Sequence, residues 1–349
     1  MRNFLRKSAL LTAASLVFFA CDDDEKKVPE TVVTLDRTEL NLNVGFSETL
    51  VATVTPPLQD GVAVVWSSDD EVVATVEDGV VTALAAGEAT ITASVGESKA
   101  TCTVTVAYVA PKIGDYYYSD GTWSDGGLRK IYADGSMHID YYKPVPLRGK
   151  TVVGIVFQTD KSRIGKKEKE KLGGENKAHG LVMAVKNANA AEKVIWSNES
   201  RYLDLLNDCV SKSNNYSDIS GYGNCESIRS LEGNFDKYPA LQAVDGYNTT
   251  CPVPTTTTGW YLPSSGQWWD ILQNLGGCPA LADGYQQTSS DINEFFWSNQ
   301  GNVPDALNKW MWGIDGWDKF SYYHQFWSSS KFKGNTMRYW VANSDDGWI

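Results

Sequence analysis

The chain has 349 residues, a formal net charge of -12 from 31 Lys+Arg against 43 Asp+Glu, and a hydrophobic content of 42%. The length allows two or three domains, the apolar content excludes global disorder, and the acidic balance makes nucleic acid a poor partner. With the first 20 residues set aside, 28 bases face 43 acids and the remainder stands near -15.

Residues 1–20 place Arg2, Arg6 and Lys7 ahead of an apolar run from Ala9 to Ala20. That is the layout of a secretory signal, too short and wrongly flanked to span a bilayer. The run ends Phe18-Phe19-Ala20-Cys21, which resembles a bacterial lipobox, with Phe18 where leucine is usual. The resemblance implies that Cys21 is lipidated and that this lipid anchors the chain in the outer membrane. Asp22-Asp23-Asp24-Glu25 resembles the acidic signal that sends some Gram-negative lipoproteins to the outer cell surface. Residues 21–31, charged and carrying Pro29, read as a flexible tether. No later stretch is apolar for long enough to cross a bilayer.

From 32 to 107 the chain alternates apolar and polar residues in short runs broken by Gly, Asp and Pro, the pattern of a small all-β sandwich. Leu40, Leu42 and Val44 point one way, and so do Ile91, Ala93 and Val95. Trp66 and Cys102 read as core residues, Cys102 as a buried thiol. The tryptophan strand from Trp66, the Asp78-Gly79 turn and the Ala85-Ala86-Gly87 turn resemble, in order and spacing, the bacterial Ig-like domain of group 2. The resemblance implies a spacer or adhesin module.

Residues 112–349 read differently. Tyr116 to Tyr118 enter an Asp120-Gly121 turn, while Val152 to Phe157 and Gly180 to Val185 read as buried strands. The basic run Lys161 to Lys171 also holds Glu168 and Glu170, so it predicts a solvated helix from Gly165 to Leu172 rather than a phosphate groove. Short helices are predicted at Tyr202 to Asn207, Tyr238 to Val244 and Val303 to Trp310. The clearest element begins at Ser264, which with Gln267 forms a capping box. Trp268, Ile271, Leu272 and Leu275 then fall on one face, and Gly276-Gly277 supplies the left-handed stop. Short strands, short helices and long loops together predict an α+β unit. Ten of the thirteen tryptophans lie between Trp260 and Trp348, more than one core holds, so several are expected at the surface as a binding site.

The Asp120 to Ser124 turn, Gly154 to Phe157, Gly259-Trp260-Tyr261-Leu262-Pro263-Ser264, Leu307 to Trp310 and Phe326-Trp327-Ser328-Ser329-Ser330 together resemble the C-type-lectin-like fold. The branch is that of formylglycine-generating enzymes, retroelement variable proteins and bacterial surface lipoproteins. The resemblance implies a ligand face through Trp312, Asp315, Trp317, Lys319, Ser321, Tyr322, Tyr323 and His324, continuing through Lys331, Phe332, Asn335, Arg338 and Tyr339. Trp327 and Ser328 to Ser330 are expected as scaffold. The composition of that face suits a paratope, with Tyr and Trp for area and Asn, Ser and His for adaptable hydrogen bonds. The family closes with a further strand, whereas this sequence ends Asp345-Asp346-Gly347-Trp348-Ile349, which leaves the last strand open to question.

Enzyme chemistry finds little support. His138, His179 and His324 are far apart, and Cys209, Cys225, Cys251 and Cys278 are nowhere closer than sixteen positions, which excludes a tight zinc motif. In an exported chain those four predict one or two disulfides. No cysteine lies in the final seventy residues, where the formylglycine-generating relatives keep their pair. No Gly-rich phosphate loop and no Ser/His/Asp order is evident. No cofactor is expected; calcium has only the loose echo Trp340 to Asp345, which reads more simply as a solvated acidic tail. The expectation is a non-enzymatic surface lipoprotein: an Ig-like stalk presenting a C-type-lectin-like head that binds an extracellular glycan or protein, as an adhesin or receptor. The alternatives are a structural pilus or adhesin subunit, or an oxidase of the formylglycine-generating kind.

Overall fold

A computed structural model describes residues 30–58, 61–189, 193–198, 204–231, 235–278, 285–288, 293–297, 303–321, 324–333, 336–342 and 347–348. The signal segment, Cys21 and the tether up to residue 29 lie outside the described residues.

The first unit contains β1 (Val32–Leu35), β2 (Glu39–Asn43), β3 (Ser47–Thr49), β4 (Ala52–Thr55), β5 (Val65–Ser68), β6 (Ala74–Glu77), β7 (Val80–Ala83), β8 (Gly87–Val95) and β9 (Ser98–Ala107). Alternation decides the packing: Ala89, Ile91 and Ala93 of β8 and Cys102, Val104 and Val106 of β9 are buried, while the residues between them are not. They belong to a four-stranded sheet, β2-β9-β8-β5, in which β2 runs parallel to β9. Opposite them, Val81 and Ala83 come from the three-stranded sheet β3-β7-β6 and complete one core with Leu40, Leu42 and Leu50. The β6–β7 hairpin needs Asp78 and Gly79 at φ 50° and 83°, the paired left-handed conformation of a tight hairpin turn. A Cβ at Gly79 would also lie 2.6 Å from the Leu50 carbonyl oxygen.

The second unit opens with β10 (Tyr116–Tyr118), β11 (Trp123–Ser124), β12 (Leu128–Ile131), β13 (Met137–Ile139), β14 (Val152–Gln158), α1 (Lys166–Lys171) and β15 (Leu181–Ala184). It continues with α2 (Lys212–Ser217), α3 (Gly221–Arg229), α4 (Pro239–Thr250), α5 (Ser265–Asn274), β16 (Tyr285–Thr288), β17 (Asn293–Trp297), α6 (Val303–Met311), β18 (Gln325–Lys333), β19 (Thr336–Ala342) and β20 (Gly347–Trp348). Two sheets frame it, β11-β10-β14-β15 and β16-β17-β20-β19-β18, with a separate β12–β13 hairpin. Because register fixes which residues share a face, two adjacent rows of the first sheet part company. Tyr116, Ile155 and Met183 form one row and enter the main core. Trp123, Tyr117, Gly154 and Ala184 form the neighbouring row on the opposite face.

Helix α5 lies against that core through Trp268, Trp269, Ile271, Leu272 and Leu275. Burying each such side chain stabilises the fold by about 1.5–3 kcal/mol. The capping box forms, with Gln267 Oε1 accepting from the Ser264 N–H at 3.0 Å. The reciprocal arm is the looser one, since the buried Ser264 Oγ has no partner at good hydrogen-bond geometry. The helix is buried well beyond its apolar stripe, because Ser265, Gln267 and Asp270 are inside as well. Each is satisfied by a neighbour: Ser265 Oγ donates to Asn215 O, Gln267 Nε2 donates to Glu168 and Ile219, and Asp270 receives Arg163. The left-handed stop falls on Gly277, at φ 76°.

Several expectations are corrected. Residues 204–206 of the expected Tyr202–Asn207 helix form a turn and a bend, and helicity appears instead at α2 and α3. Helix α4 starts on Pro239 and runs through Gly246 to Thr250, past the expected end at Val244, with Val244 and Tyr247 both buried. Gly347-Trp348, the end left in question, forms β20 between β17 and β19. Cys225, Cys251 and Cys278 are free thiols, so no disulfide forms among the four predicted cysteines. Their surroundings differ: Cys225 packs in a satellite cluster with Ile228 and Leu241, Cys278 packs in the main core, and Cys251 caps α4.

Candidate binding surface

Helix α6 shows a clear division. Val303, Leu307, Trp310 and Met311 face the core, Trp310 Nε1 donates to Leu275 O at 2.9 Å, and the next residue, Trp312, is 79% exposed. Gly313, at φ 87°, turns the chain so that Ile314 is buried again. The outward ring is therefore a consequence of helix phase followed by a left-handed turn.

A second aromatic group stands at the same end of α6. Tyr141 and Tyr142 are 91% and 87% exposed, their rings edge to face at 4.9 Å, and Val145 is exposed beside them. Their loop is held from beneath by three residues, Tyr116, Tyr118 and Lys143, through part-buried hydrogen bonds. Tyr116 OH donates to Pro144 O at 3.0 Å, and the Leu147 N–H donates to Tyr118 OH at 2.8 Å. Lys143 Nζ donates to Trp310 O at 2.6 Å and to Lys309 O at 3.2 Å, the last carbonyls of α6, with the Tyr116 and Trp310 rings beside it. Burial pulls the Lys143 ammonium down to about 8, and the helix C-terminus and two ring faces favour its charged form. The loop is thus fixed while its two tyrosines face water, which is how a surface presents rings at small entropic cost. Sequence reasoning passed over these tyrosines; the signal was adjacent aromatics ahead of Lys143-Pro144-Val145-Pro146, where two prolines fix the backbone.

The predicted face is only partly assembled. Asp315 and Lys319 are exposed, whereas Trp317 is half-buried against the main core. Ser321 is half-buried; His324 is exposed, with its ring 6.1 Å from that of Phe326. Lys331 does not belong to the face. It is buried, with Nζ 2.9 Å from an Asp208 carboxylate oxygen, because at this register of β18 its side chain points inward. Phe332 is half-buried. Tyr322, Tyr323 and Asn335 lie outside the described residues, as do the side chains of Arg338 and Tyr339 on β19. Asp318, which sequence reasoning did not single out, ties the 315–319 loop down: its N–H donates to Val185 O at 2.9 Å and its carboxylate accepts from the Asn187 N–H at 2.8 Å.

The Trp327–Ser330 segment is scaffold. Trp327 Nε1 donates to Val194 O at 2.7 Å, and Ser328, Ser329 and Ser330 are all buried. The Ser329 N–H donates to Pro263 O and Ser330 Oγ to Asp218, which locks β18 to the segment entering α5. Among the described residues no group of three or more His, Cys, Asp or Glu is placed to hold a metal ion, and no helix is long and apolar enough to cross a membrane.

Residues 30–105 match the family model of the bacterial Ig-like domain, group 2, and β1–β9 supply the sandwich that match requires. This segment is a bacterial Ig-like domain. Among curated relatives, a candidate fimbrium tip subunit, Fim1C, of Bacteroides ovatus is 27% identical over 174 residues, covering 45% of this chain and 32% of that protein. An uncharacterized protein of Clostridium acetobutylicum is 37% identical over 95 residues, covering 26% of this chain and 10% of that protein. The chain therefore spans about a third of the length of the first and a tenth of the second. Among solved structures, domains 4 and 5 of the S-layer protein SbsC are 22% identical over 22% of this chain and 51% of theirs, with a TM-score of 0.20. Domains 1–6 of the same protein are 19% identical over 35% of this chain and 19% of theirs, with a TM-score of 0.22. Scores at that level carry no argument.

Proposed function

We propose that the chain is a lipoprotein of the bacterial outer surface, in which the Ig-like domain lifts a C-type-lectin-like head that binds an extracellular glycan or protein without chemistry. The observation that carries this reading is the group of rings at the end of α6: Trp312, Tyr141 and Tyr142 stand in water on backbone that is fixed from below. Aromatic side chains of that kind dominate recognition surfaces, on sugar faces and on proteins alike. The likeness to a candidate fimbrium tip subunit supports placement at the cell surface, and lipidation at Cys21 would supply the anchor.

Comparing two tryptophans tests the reading. W312A is expected to weaken binding to host-derived glycans or matrix proteins with little change in melting temperature, whereas W317A lowers stability because its ring packs on the core. If W312A weakens binding of none of these ligands, the assignment of the surface is overturned. The same fimbrial likeness favours a second reading, a structural subunit of a surface fibre. Assembly into filaments, seen by electron microscopy of purified protein, would support it; a strictly monomeric chain would not.

A further inference from the structure

The opposite face of the β11-β10-β14-β15 sheet borders a groove that Val244 and Tyr247 of α4 also line. The row Trp123, Tyr117, Gly154, Ala184 runs across its four strands, with large rings at one end and the smallest side chains at the other. The segment from Cys251 to Leu262 folds over this face. Pro254 rests on Gly121, where a Cβ would lie 2.9 Å from its Cγ, and the Trp260 ring lies over Gly154, where a Cβ would lie 3.3 Å away. Trp260 is fixed: its Nε1 donates to Cys251 O at 2.8 Å, its N–H donates to Asn248 Oδ1 at 2.7 Å, and its ring meets Tyr247 edge to face. Between sheet and segment remains a groove of about 860 Å³, whose lip is completed by Pro111 of the linker and Leu84 of the Ig-like domain. Its size falls within the roughly 300–1,000 Å³ of small-ligand sites.

The lining is selective in charge. On a chain of net charge -12, the groove is bordered by Lys171, Lys177, Lys186 and His179, and its single carboxylate is Glu168. The two sets are not equivalent, because the lysines and the histidine are exposed at the rim whereas Glu168 is fully buried. Glu168 Oε1 accepts from the Tyr222 N–H and from Gln267 Nε2, while Oε2 has no hydrogen-bond partner. Burial pushes this carboxyl above its ordinary range. Thr255 to Thr258, on the same segment as Trp260, also line the groove, with the Thr257 and Thr258 hydroxyls donating to Pro254 O and Gly259 O. With strands about 4.8 Å apart, Trp123, Tyr117 and the ring over Gly154 span roughly 10 Å, enough to stack two consecutive sugar rings.

We infer that this groove is a binding site for an acidic oligosaccharide, whose sugar faces stack on Trp123, Tyr117 and Trp260 and whose carboxylate or sulfate groups meet Lys171 and Lys177 at the rim. The site is separate from the rings at the end of α6 and gives the Ig-like domain a part beyond spacing, since Leu84 closes one end.

Titration calorimetry on the full chain tests this with three probes: oligogalacturonate for the carboxylate, chondroitin sulfate oligosaccharide for the sulfate, and maltotetraose as the neutral control. The expected result is binding of at least one acidic probe, lost in A184F, which fills the groove floor from a half-exposed position, and about tenfold weaker in K171A/K177A. Circular dichroism melting of A184F should match the parent, and W312A/Y141A/Y142A should bind the acidic probe as the parent does. The inference is overturned if neither acidic probe binds, if maltotetraose binds as tightly, or if A184F and K171A/K177A leave affinity unchanged. Loss of binding in W312A/Y141A/Y142A would move the site to the other surface and overturn it equally.

Discussion

The tie between Arg163 and α5 gives the sharpest stability prediction. Arg163 Nε donates to both Asp270 carboxylate oxygens, at 3.1 and 3.2 Å, its Nη2 donates to Tyr216 O and Gly266 O at 3.1 Å each, and its guanidinium lies 3.8 Å from the centre of the Tyr216 ring. The Asp270 side chain is 4% exposed, so R163A would leave a buried carboxylate and two carbonyls without their donor. Removing one partner of a buried pair costs about 3–5 kcal/mol, which for a unit of this size is a fall of roughly 6–20 °C in melting temperature. The double replacement R163M/D270L should cost far less, because an apolar pair of similar volume leaves no charge behind. Burial also pushes Asp270 up to about 6 from an ordinary 3.8, against the pull of Arg163. The folded state therefore takes up that proton before the unfolded chain does, so this contribution to stability is fullest below about pH 4 and is lost as pH rises through 6. The deficit of R163A should accordingly shrink near pH 4.5. Urea titrations of the parent, R163A and R163M/D270L near pH 7.5 and near pH 4.5 measure it, and an R163A deficit under about 1 kcal/mol near pH 7.5, the size of a surface pair, would refute the reasoning.

Three further outcomes follow from the same geometry. Asp115 is buried and pushed up to about 6, mainly by desolvation, so D115N should raise the melting temperature near pH 7.5 and change little near pH 4.5, as scanning calorimetry would show. K143M removes the donor that binds the tyrosine loop to α6; a loss of roughly 1.5–3 kcal/mol is expected in urea denaturation, with faster proteolysis between residues 140 and 147. Among the free thiols, Cys251 is half-buried, while Cys225 is fully buried with its thiol pushed up to about 12. Ellman's reagent should reach Cys251 first and Cys225 only on unfolding; a disulfide between them in mass spectra of the intact protein would contradict the structure.

What the sequence disclosed was what local rules control. Strict alternation placed Ile91 and Ala93 inward, the Asp78-Gly79 pair announced its hairpin, and the capping box at Ser264 marked the start of α5. What it did not disclose depends on partners far along the chain. Asp270 and Gln267 are polar positions that look like a solvated face, yet Arg163 and Glu168, roughly a hundred residues away, draw them inside. The resemblance put Lys331 on the ligand face, and the Asp208 carboxylate is what allows its burial. The cysteines illustrate the converse: spacing and compartment suggested bridges, but each thiol has its own apolar or capped surroundings. For the binding surface, the crowding of late tryptophans called for exposed rings and the resemblance named Trp312 among them, whereas Tyr141 and Tyr142 join it only through Lys143 and the end of α6.

The most direct test of the central claim is paired: binding of the full chain and of W312A/Y141A/Y142A to an array of host and bacterial glycans and matrix proteins, with melting temperatures measured on the same samples. The predicted result is a ligand held by the parent and lost at least about 30-fold by the triple variant, since truncating one central aromatic anchor costs about 2 kcal/mol or more, with melting within roughly 4 °C. Equal binding of every ligand by both chains, or a collapse of melting in the variant, would contradict the assignment of these rings to recognition.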